Sequence, residues 1–298
     1  MRITTIESGS TPDGAAALDP TNYEFLQEYI YRESGIVLDQ DKRYLIEARL
    51  MPIVNRERLG SLNDLCALLR GVSGTVIKQQ VVDSMTTNET LFFRDMQHYD
   101  ALRMEVIPRL VEQRQGQRRM SFWSAASSTG QEAYSLAMML IEMGMADWNI
   151  QILGTDLSTQ VLDRARAGRF HQIEVNRGLP VQYLVKYFTR VGLEWQLKDA
   201  VRRMVRFERF DLRQSMRSLG PFDVVFCRNV LIYFDAETKK RIMGEIRGTL
   251  FGGGYLLLGG SETTLGLDEV YQRVPVRKTV LYRYPGDHGE PYARSISH

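Results

Sequence analysis

The sequence is poor in the residues that staple or metallate proteins. It holds 2 cysteines and 4 histidines in 298 residues. Cys66 and Cys227 are far apart, each among apolar neighbours, so they are expected to be core thiols and not a disulfide, as suits a reducing cytoplasm. No His/Cys cluster has zinc spacing, and no metal site is expected. No apolar run approaches the ~20 residues of a membrane span. The basic start and apolar core of a signal peptide are missing too. A cytoplasmic chain that does not insert into membranes is therefore expected. Charge of one sign is also lacking: 38 Lys and Arg against 36 Asp and Glu leave +2. That is too small a field to argue for nucleic acid as a partner. Finally, no G-x-G-x-x-G opens a helix, which counts against an NAD-dependent oxidoreductase.

What is present has the composition of a globular chain, 44% hydrophobic and 25% charged. At roughly 150 residues per domain the length suggests two domains. Residues 1–20 are polar and aperiodic, and are expected to be a disordered lead. Residues 21–85 read as a small all-helical domain. Asn22–Glu33 has Phe25, Leu26, Tyr29 and Ile30 at helical spacing, and Asp41–Arg58 is a second helical segment that Pro52 should kink or break. Ser61 should cap Leu62–Arg70, with Asp64 completing a capping-box pattern. Gly71–Gly74 reads as a turn before a helix over Thr75–Met85. Lys42, Arg49 and Arg56 recur at heptad spacing, with Arg43 nearby, and share a face that drifts only ~20° per heptad. Two readings stay open: a solvated face, since Asp39, Asp41, Glu47 and Glu57 are interleaved, or a docking face for an acidic helix.

Residues 86–97 crowd Thr86, Thr87, Asn88, Glu89 and Thr90 against Leu91, Phe92, Phe93 and Arg94. This reads either as a linker closing over a site or as an interdomain turn. A helix over His98–Gln113, kinked at Pro108, opens the second domain, residues 98–285.

The most informative stretch follows. Met120–Ala125 reads as a buried strand, Ala126–Gly130 as a turn of small side chains, and Gln131–Met143 as a helix with Leu136, Met139, Leu140 and Met143 on one face. Strand, small turn and helix make the first unit of a Rossmann-like α/β fold, with a helix N-terminus facing any ligand. Glu132 in the first helical turn would repel a pyrophosphate and suits a cationic or amine-bearing ligand, unless it merely answers the helix dipole. Asn149–Gly154 is a second strand, and Asp156 at its end is placed either to accept a ribose diol or to cap the helix after Ser158. Residues of about 170–210 break the rhythm: a helix over Val181–Phe188 and short strands over Trp195–Leu197, Val201–Val205 and Phe207–Phe210 suggest an inserted antiparallel subdomain. Phe222–Cys227 is a buried parallel strand with Arg228 and Asn229 at its carboxyl end. Asp235–Thr249 is a helix, Tyr255–Leu258 and Lys278–Tyr284 are strands, and residues 286–298 read as a loose tail.

Five separated stretches together resemble the chemotaxis receptor methyltransferases (the CheR family): Thr86–Asp95, Ser124–Ser135, Gly154–Ser158, Phe222–Phe234 and Gly259–Glu262. The resemblance runs over about Asn22–Pro285. It implies a Rossmann-like methyltransferase domain with a small antiparallel β-subdomain insertion behind a helical receptor-docking domain. It implies S-adenosylmethionine as cofactor, S-adenosylhomocysteine as product, and glutamates on the cytoplasmic methylation helices of chemoreceptors as substrate, methylated by a protein-glutamate O-methyltransferase; the sequence leaves the oligomeric state open, with a monomer as the default expectation. Carried over by motif, Asn88, Thr90 and Arg94 reach cofactor and active site. Glu132 meets the methionine amino end, Asp156 the ribose, and Asp211 and Leu212 the adenine, although the family often has Asn where Asp211 stands. Arg228 and Asn229 line the pocket floor, and Arg94 and Tyr233 attend the transferred methyl. Lys42, Arg43, Arg49 and Arg56 would meet the receptor. The link Arg190–Glu194 is short with one glycine, so dependence on a receptor C-terminal pentapeptide is not expected. Two other readings of the same residues are a methyltransferase of this fold on another acceptor, and a non-catalytic module sensing the cofactor or its product.

Overall fold

The computed structural model describes residues 17–71 and 75–286. Most of the expected lead, residues 72–74 of the expected turn, and all but the first residue of the expected tail lie outside them. The chain divides into two units, one of Met1–Glu33 with Leu38–Met85, the other of Ser34–Val37 with Thr86–His298.

The first unit is helical. It comprises α1 (Pro20–Ser34, whose last residue counts with the second unit), a short 3-10 turn at Gln40–Lys42, α2 (Arg43–Arg56), α3 (Leu62–Arg70) and α4 (Thr75–Met85). Leu26, Tyr29, Ile30, Ile46, Leu50, Ile53, Leu65 and Cys66 are buried. The Ser61 hydroxyl accepts the Asp64 N–H at 3.2 Å, a cap worth about 1 kcal/mol. Pro52 does not break α2, which runs through it. The basic residues do not present one open face. Lys42 lies in the 3-10 turn beside Asp39, Arg43 bonds Glu47 and the Leu18 carbonyl, Arg49 donates to the Met85 carbonyl at 2.7 Å, and Arg56 bonds Gln80. Arg49 and Arg56 thus clasp α4.

The second unit is a seven-stranded sheet with helices. Its helices before the first strand are α5 (Met96–Ala101) and α6 (Ile107–Arg114). Between them Leu102–Val106 widens into a π-turn just before Pro108, which has no N–H to donate. Then follow β1 (Arg119–Ala125), α7 (Gln131–Glu142), β2 (Asn149–Asp156), α8 (Thr159–Ala167), β3 (Arg169–His171), α9 (Gln172–Asn176), α10 (Val181–Tyr187), β4 (Phe188–Val191), β5 (Glu194–Leu197), α11 (Asp199–Arg202), β6 (Val205–Arg209), β7 (Phe222–Cys227), α12 (Ala236–Arg247), β8 (Leu250–Leu258), β9 (Gln272–Val276) and β10 (Thr279–Arg283).

The sheet order is β6-β2-β1-β7-β8-β10-β9. β6, β2, β1, β7 and β8 are parallel, and β10 is antiparallel to both its neighbours. Order reverses at β1, so a crevice opens between the loops after β1 and β7 at the carboxyl edge. Alternation along the strands feeds two cores. Phe122, Val224, Phe226 and Leu257 pack on one face with α7, and Trp123, Val225, Cys227 and Leu258 on the other with Ile242, Met243 and Ile246 of α12. Both cysteines are free and buried.

The inserted region differs from its sequence reading in two ways. Val201–Val205 is not a strand, because Asp199 starts a helical turn in which its carboxylate pairs with Arg202. Phe207–Phe210 is not part of the antiparallel insertion. Val205–Arg209 runs parallel to β2 in the main sheet, with Phe207 against Gly154, where an added Cβ would come within 2.6 Å of its ring. The insertion is the three-stranded sheet β3-β5-β4. Its β4 begins at Phe188, where the expected helix was to end. Gly192 (φ +62) and Leu193 form the tight turn between β4 and β5.

Candidate active site

Loops after β1, β2, β6 and β7 meet the linker Thr86–Asp95 and the strap Ser34–Val37 around a cleft, all within the second unit. Its volume is about 950 Å³ including the open mouth. Every residue expected at cofactor or acceptor lines it: Asn88, Thr90, Arg94, Glu132, Asp156, Asp211, Leu212, Arg228, Asn229 and Tyr233. Ser34, Ile36, Ser127, Ser128, Leu157, Phe210 and Phe234 line it too, without having been singled out from sequence.

The first wall is the turn after β1. Ala126 and Ser128 adopt positive φ (56° and 50°) and Gly130 reaches 92°. A Cβ on Gly130 would meet Phe207 at 2.9 Å, so only glycine fits. The turn is held by Ser127 N–H to the Thr155 carbonyl (2.8 Å), Ser128 N–H to the Asp156 carboxylate (2.9 Å) and Ser128 hydroxyl to the Asn88 carbonyl (3.0 Å). Asp156 also accepts the Ser158 N–H at 3.0 Å. It therefore organises two loops at the edge of the cleft.

The second wall is the linker. Phe92 is fully buried, edge-on to Phe170 of β3 and Phe188 of β4. Phe93 packs on Tyr99 and Tyr183, and its N–H donates to the Ser135 hydroxyl at 2.9 Å. These pegs leave Asn88, Thr90 and Arg94 on the cleft. The Arg94 guanidinium donates to the Glu89 carbonyl at 3.1 Å and is half-buried.

The floor is a buried charge cluster. The Arg228 side chain is 1% exposed. It donates to Glu132 at 2.9 Å, to the Arg94 carbonyl at 2.9 Å and to Asp95. Its Nε has no hydrogen-bond partner among the described residues. Burial opposes its charge, but the Glu132 and Asp95 carboxylates outweigh it and raise its pKa. Glu132 is thus neither a cap nor free: one oxygen accepts Arg228, the other the Ser124 hydroxyl at 2.7 Å. A carboxylate has about four lone-pair sites, so it can still accept an ammonium group. Burial, then the Arg228 charge, depress His98 to about 4, which disqualifies it as a base. Burial and then the charges of Glu262 and Glu132 push the Cys227 thiol well up. Asp211 is committed as well, its carboxylate gripped by Arg213 at 2.7 Å.

The loop after β7 carries Arg228 to Tyr233. Asn229 has φ 58°, and Glu262 from the loop after β8 accepts the N–H groups of Asn229 (2.7 Å), Val230 (3.0 Å) and Leu231 (2.8 Å). The Tyr233 carbonyl accepts the Val37 N–H at 2.9 Å. Sequence reading quoted Gly259–Glu262 as a motif but assigned Glu262 no role.

This cleft fits a sulfonium nucleoside. Carboxylates of Glu132, Asp156 and Asp211 gather around it. Small side chains give backbone access, and the buried Ser127 hydroxyl beside the cleft has no partner among the described residues. Sheet order and cleft together define a Rossmann-like S-adenosylmethionine-dependent methyltransferase. Residues 88–280 match the family described as CheR methyltransferase, SAM binding domain, and residues 21–86 its all-alpha domain. Chemotaxis protein methyltransferase 1 of Pseudomonas aeruginosa is 41% identical over 268 residues, spanning 88% of this chain and 97% of that one. Chemotaxis protein methyltransferase Cher2 of Pseudomonas putida is 40% identical with the same coverage. Chemotaxis protein methyltransferase 1 of Vibrio cholerae is 36% identical over 90% of this chain and 98% of its own. The chain belongs to the CheR methyltransferase family, and its cofactor is S-adenosylmethionine.

Proposed function

We propose that this protein forms methyl esters on glutamate side chains in the cytoplasmic methylation helices of chemoreceptors, for chemosensory adaptation. The names of its relatives place them in chemotaxis. The observation that carries the reading is the single cleft joining Glu132 and Asp156 to Arg94 and Tyr233.

S-adenosylmethionine supplies the electrophilic methyl when bound. Asp156 would hold its ribose, Glu132 its amino end and Leu212 its adenine, with Asn88, Thr90, Arg228 and Asn229 completing the contacts. A glutamate side chain is ionised at neutral pH, so the protein needs no general base. Nucleophile and donor carry opposite charges that disappear in the reaction, so a dry and well-aligned pocket matters most. Arg94 positions the acceptor carboxylate, and Tyr233 orients the reacting groups through its hydroxyl. Lys42, Arg43, Arg49 and Arg56 favour an acidic receptor helix. The two-residue turn at Gly192–Leu193 supports the reading that the protein acts without a receptor C-terminal pentapeptide; micromolar binding of such a pentapeptide would overturn that part.

The test is methyl transfer from tritiated S-adenosylmethionine to chemoreceptor-containing membranes. Label released by base as methanol establishes carboxyl methyl esters. Cofactor binding with no receptor label would move the function to another acceptor.

A further inference from the structure

We infer that Glu262 is the positioning residue of the catalytic loop, setting Tyr233 through the backbone and not through any contact with the reacting groups. The inference rests on the placement of Tyr233 at the transferred methyl proposed above.

β7 and β8 are adjacent and parallel, with Cys227 beside Leu258. Their carboxyl-end loops must therefore emerge side by side. Glu262, in the loop after β8, reaches across to the loop after β7. One oxygen accepts the N–H groups of Asn229 (2.7 Å) and Gly259 (2.7 Å). The other accepts those of Val230 (3.0 Å) and Leu231 (2.8 Å). Four donors on one carboxylate form an anion nest with the anion supplied by the chain itself. No other side chain can do this: Gln has one accepting oxygen, and Asp is a methylene short. The close approach also requires Gly259, where a Cβ would stand 2.7 Å from the Glu262 oxygen and 2.7 Å from the Asn229 side chain.

The consequence runs to Tyr233. Asn229 sits at φ 58°, a conformation that costs about 1–2 kcal/mol for most residues with a side chain and less for Asn. The nest offsets that cost. The Tyr233 N–H bonds the Val230 carbonyl at 3.2 Å, so fixing Val230 fixes the turn that presents Tyr233. The N–H groups of Asn229, Val230 and Leu231 are spent on Glu262, so the loop serves the cleft by its side chains and carbonyls.

The experiment compares wild type, Glu262→Gln, Tyr233→Phe and the double variant in the full-length protein. Amide exchange of Asn229–Leu231 should quicken at least about tenfold in Glu262→Gln, while Val224–Phe226 of β7 stay protected. Unchanged protection overturns the inference, whatever the acceptor proves to be. Turnover should fall about tenfold to a hundredfold, and cofactor Kd measured by calorimetry should rise by less than turnover falls, since Asn229 is loosened while Asp156 and Glu132 are untouched. The double variant should lose little more than Tyr233→Phe alone, the non-additivity of groups acting as one. Fully additive losses overturn the inference. If Glu262→Gln does not fold, Gly259→Ala keeps the carboxylate and crowds the same nest, and should give the same pattern. Wild-type protein that labels no receptor refutes the proposed acceptor but leaves the exchange result to decide the role of Glu262.

Discussion

Strand β7 has a buried arginine–carboxylate cluster at each end, and the two are built differently. At the amino end Arg114 holds Asp223 by Nε and a terminal nitrogen (3.2 and 2.9 Å), and the other Asp223 oxygen accepts the Ser121 N–H and hydroxyl. The guanidinium lies over the Phe251 ring. The cluster is closed. At the carboxyl end Arg228 divides itself among Glu132, Asp95 and a carbonyl, and keeps an unpartnered Nε. Phe93, Asp95, Ala126, Ser128 and Asn229 around it all hold positive φ. A groove opens beside the amino-end cluster as well, lined by Arg119, Arg203 and Arg206, so a cavity alone does not tell the two apart. Positive φ occurs beside the amino-end groove too, at Arg118 and Gly220, so what separates the two ends is the density of left-handed backbone around Arg228 and the polar capacity left over there. Burial of an ion pair is by itself a structural observation.

That contrast can be broken in several places. The largest effect is expected from Asp223→Ala, which strands Arg114 in the interior and should remove about 3–5 kcal/mol of stability in urea unfolding. The protein that remains folded should bind cofactor as before. An unchanged unfolding midpoint would erase the distinction. Next, Arg94→Ala and Tyr233→Phe should each lower turnover about a hundredfold while unfolding and cofactor Kd stay near wild type; unchanged turnover would make them packing residues.

The carboxyl-end cluster should also show in the acid limb. Unfolded, His98 takes up a proton below its ordinary 6.5, whereas the fold resists until about 4. The unfolded chain therefore binds more protons between those values. Stability is full above pH 6.5 and is lost as pH falls through the window, by up to about 3 kcal/mol. His98→Phe should flatten the stability profile there, and an unaltered slope would assign the acid limb to other groups. The smallest effect concerns the helical unit. Arg56→Glu together with Arg49→Glu should raise the receptor KM several-fold, with kcat unchanged and weaker dependence on salt. No change would mean that these side chains serve only to clasp α4.

Much of this was legible in the sequence, for physical reasons. Buried parallel strands read as apolar runs, so Phe222–Cys227 could be seen directly. A turn of small residues before a helix marks a close backbone approach, whereas Glu132 could be read from sequence either as a ligand contact or as answering the helix dipole. The insertion was legible as an antiparallel subdomain, but its individual strands were not, because they are short and interleaved with arginines, so β3 and β4 carry no clear period. Phe207 was given to the wrong sheet, since only its packing on Gly130 and Gly154 shows which strand it joins. Ser34 and Ile36 lie far from every motif, and nothing local marks them. Glu262 stood inside a quoted motif, yet its purpose exists only where two adjacent strands bring their loops together.

The most direct measurement is calorimetric titration of S-adenosylmethionine into wild type, Asp156→Ala and Asp223→Asn. One-site binding that weakens at least about tenfold in Asp156→Ala and is kept in Asp223→Asn would place the cofactor at the carboxyl edge. Equal binding by Asp156→Ala and wild type would contradict the account.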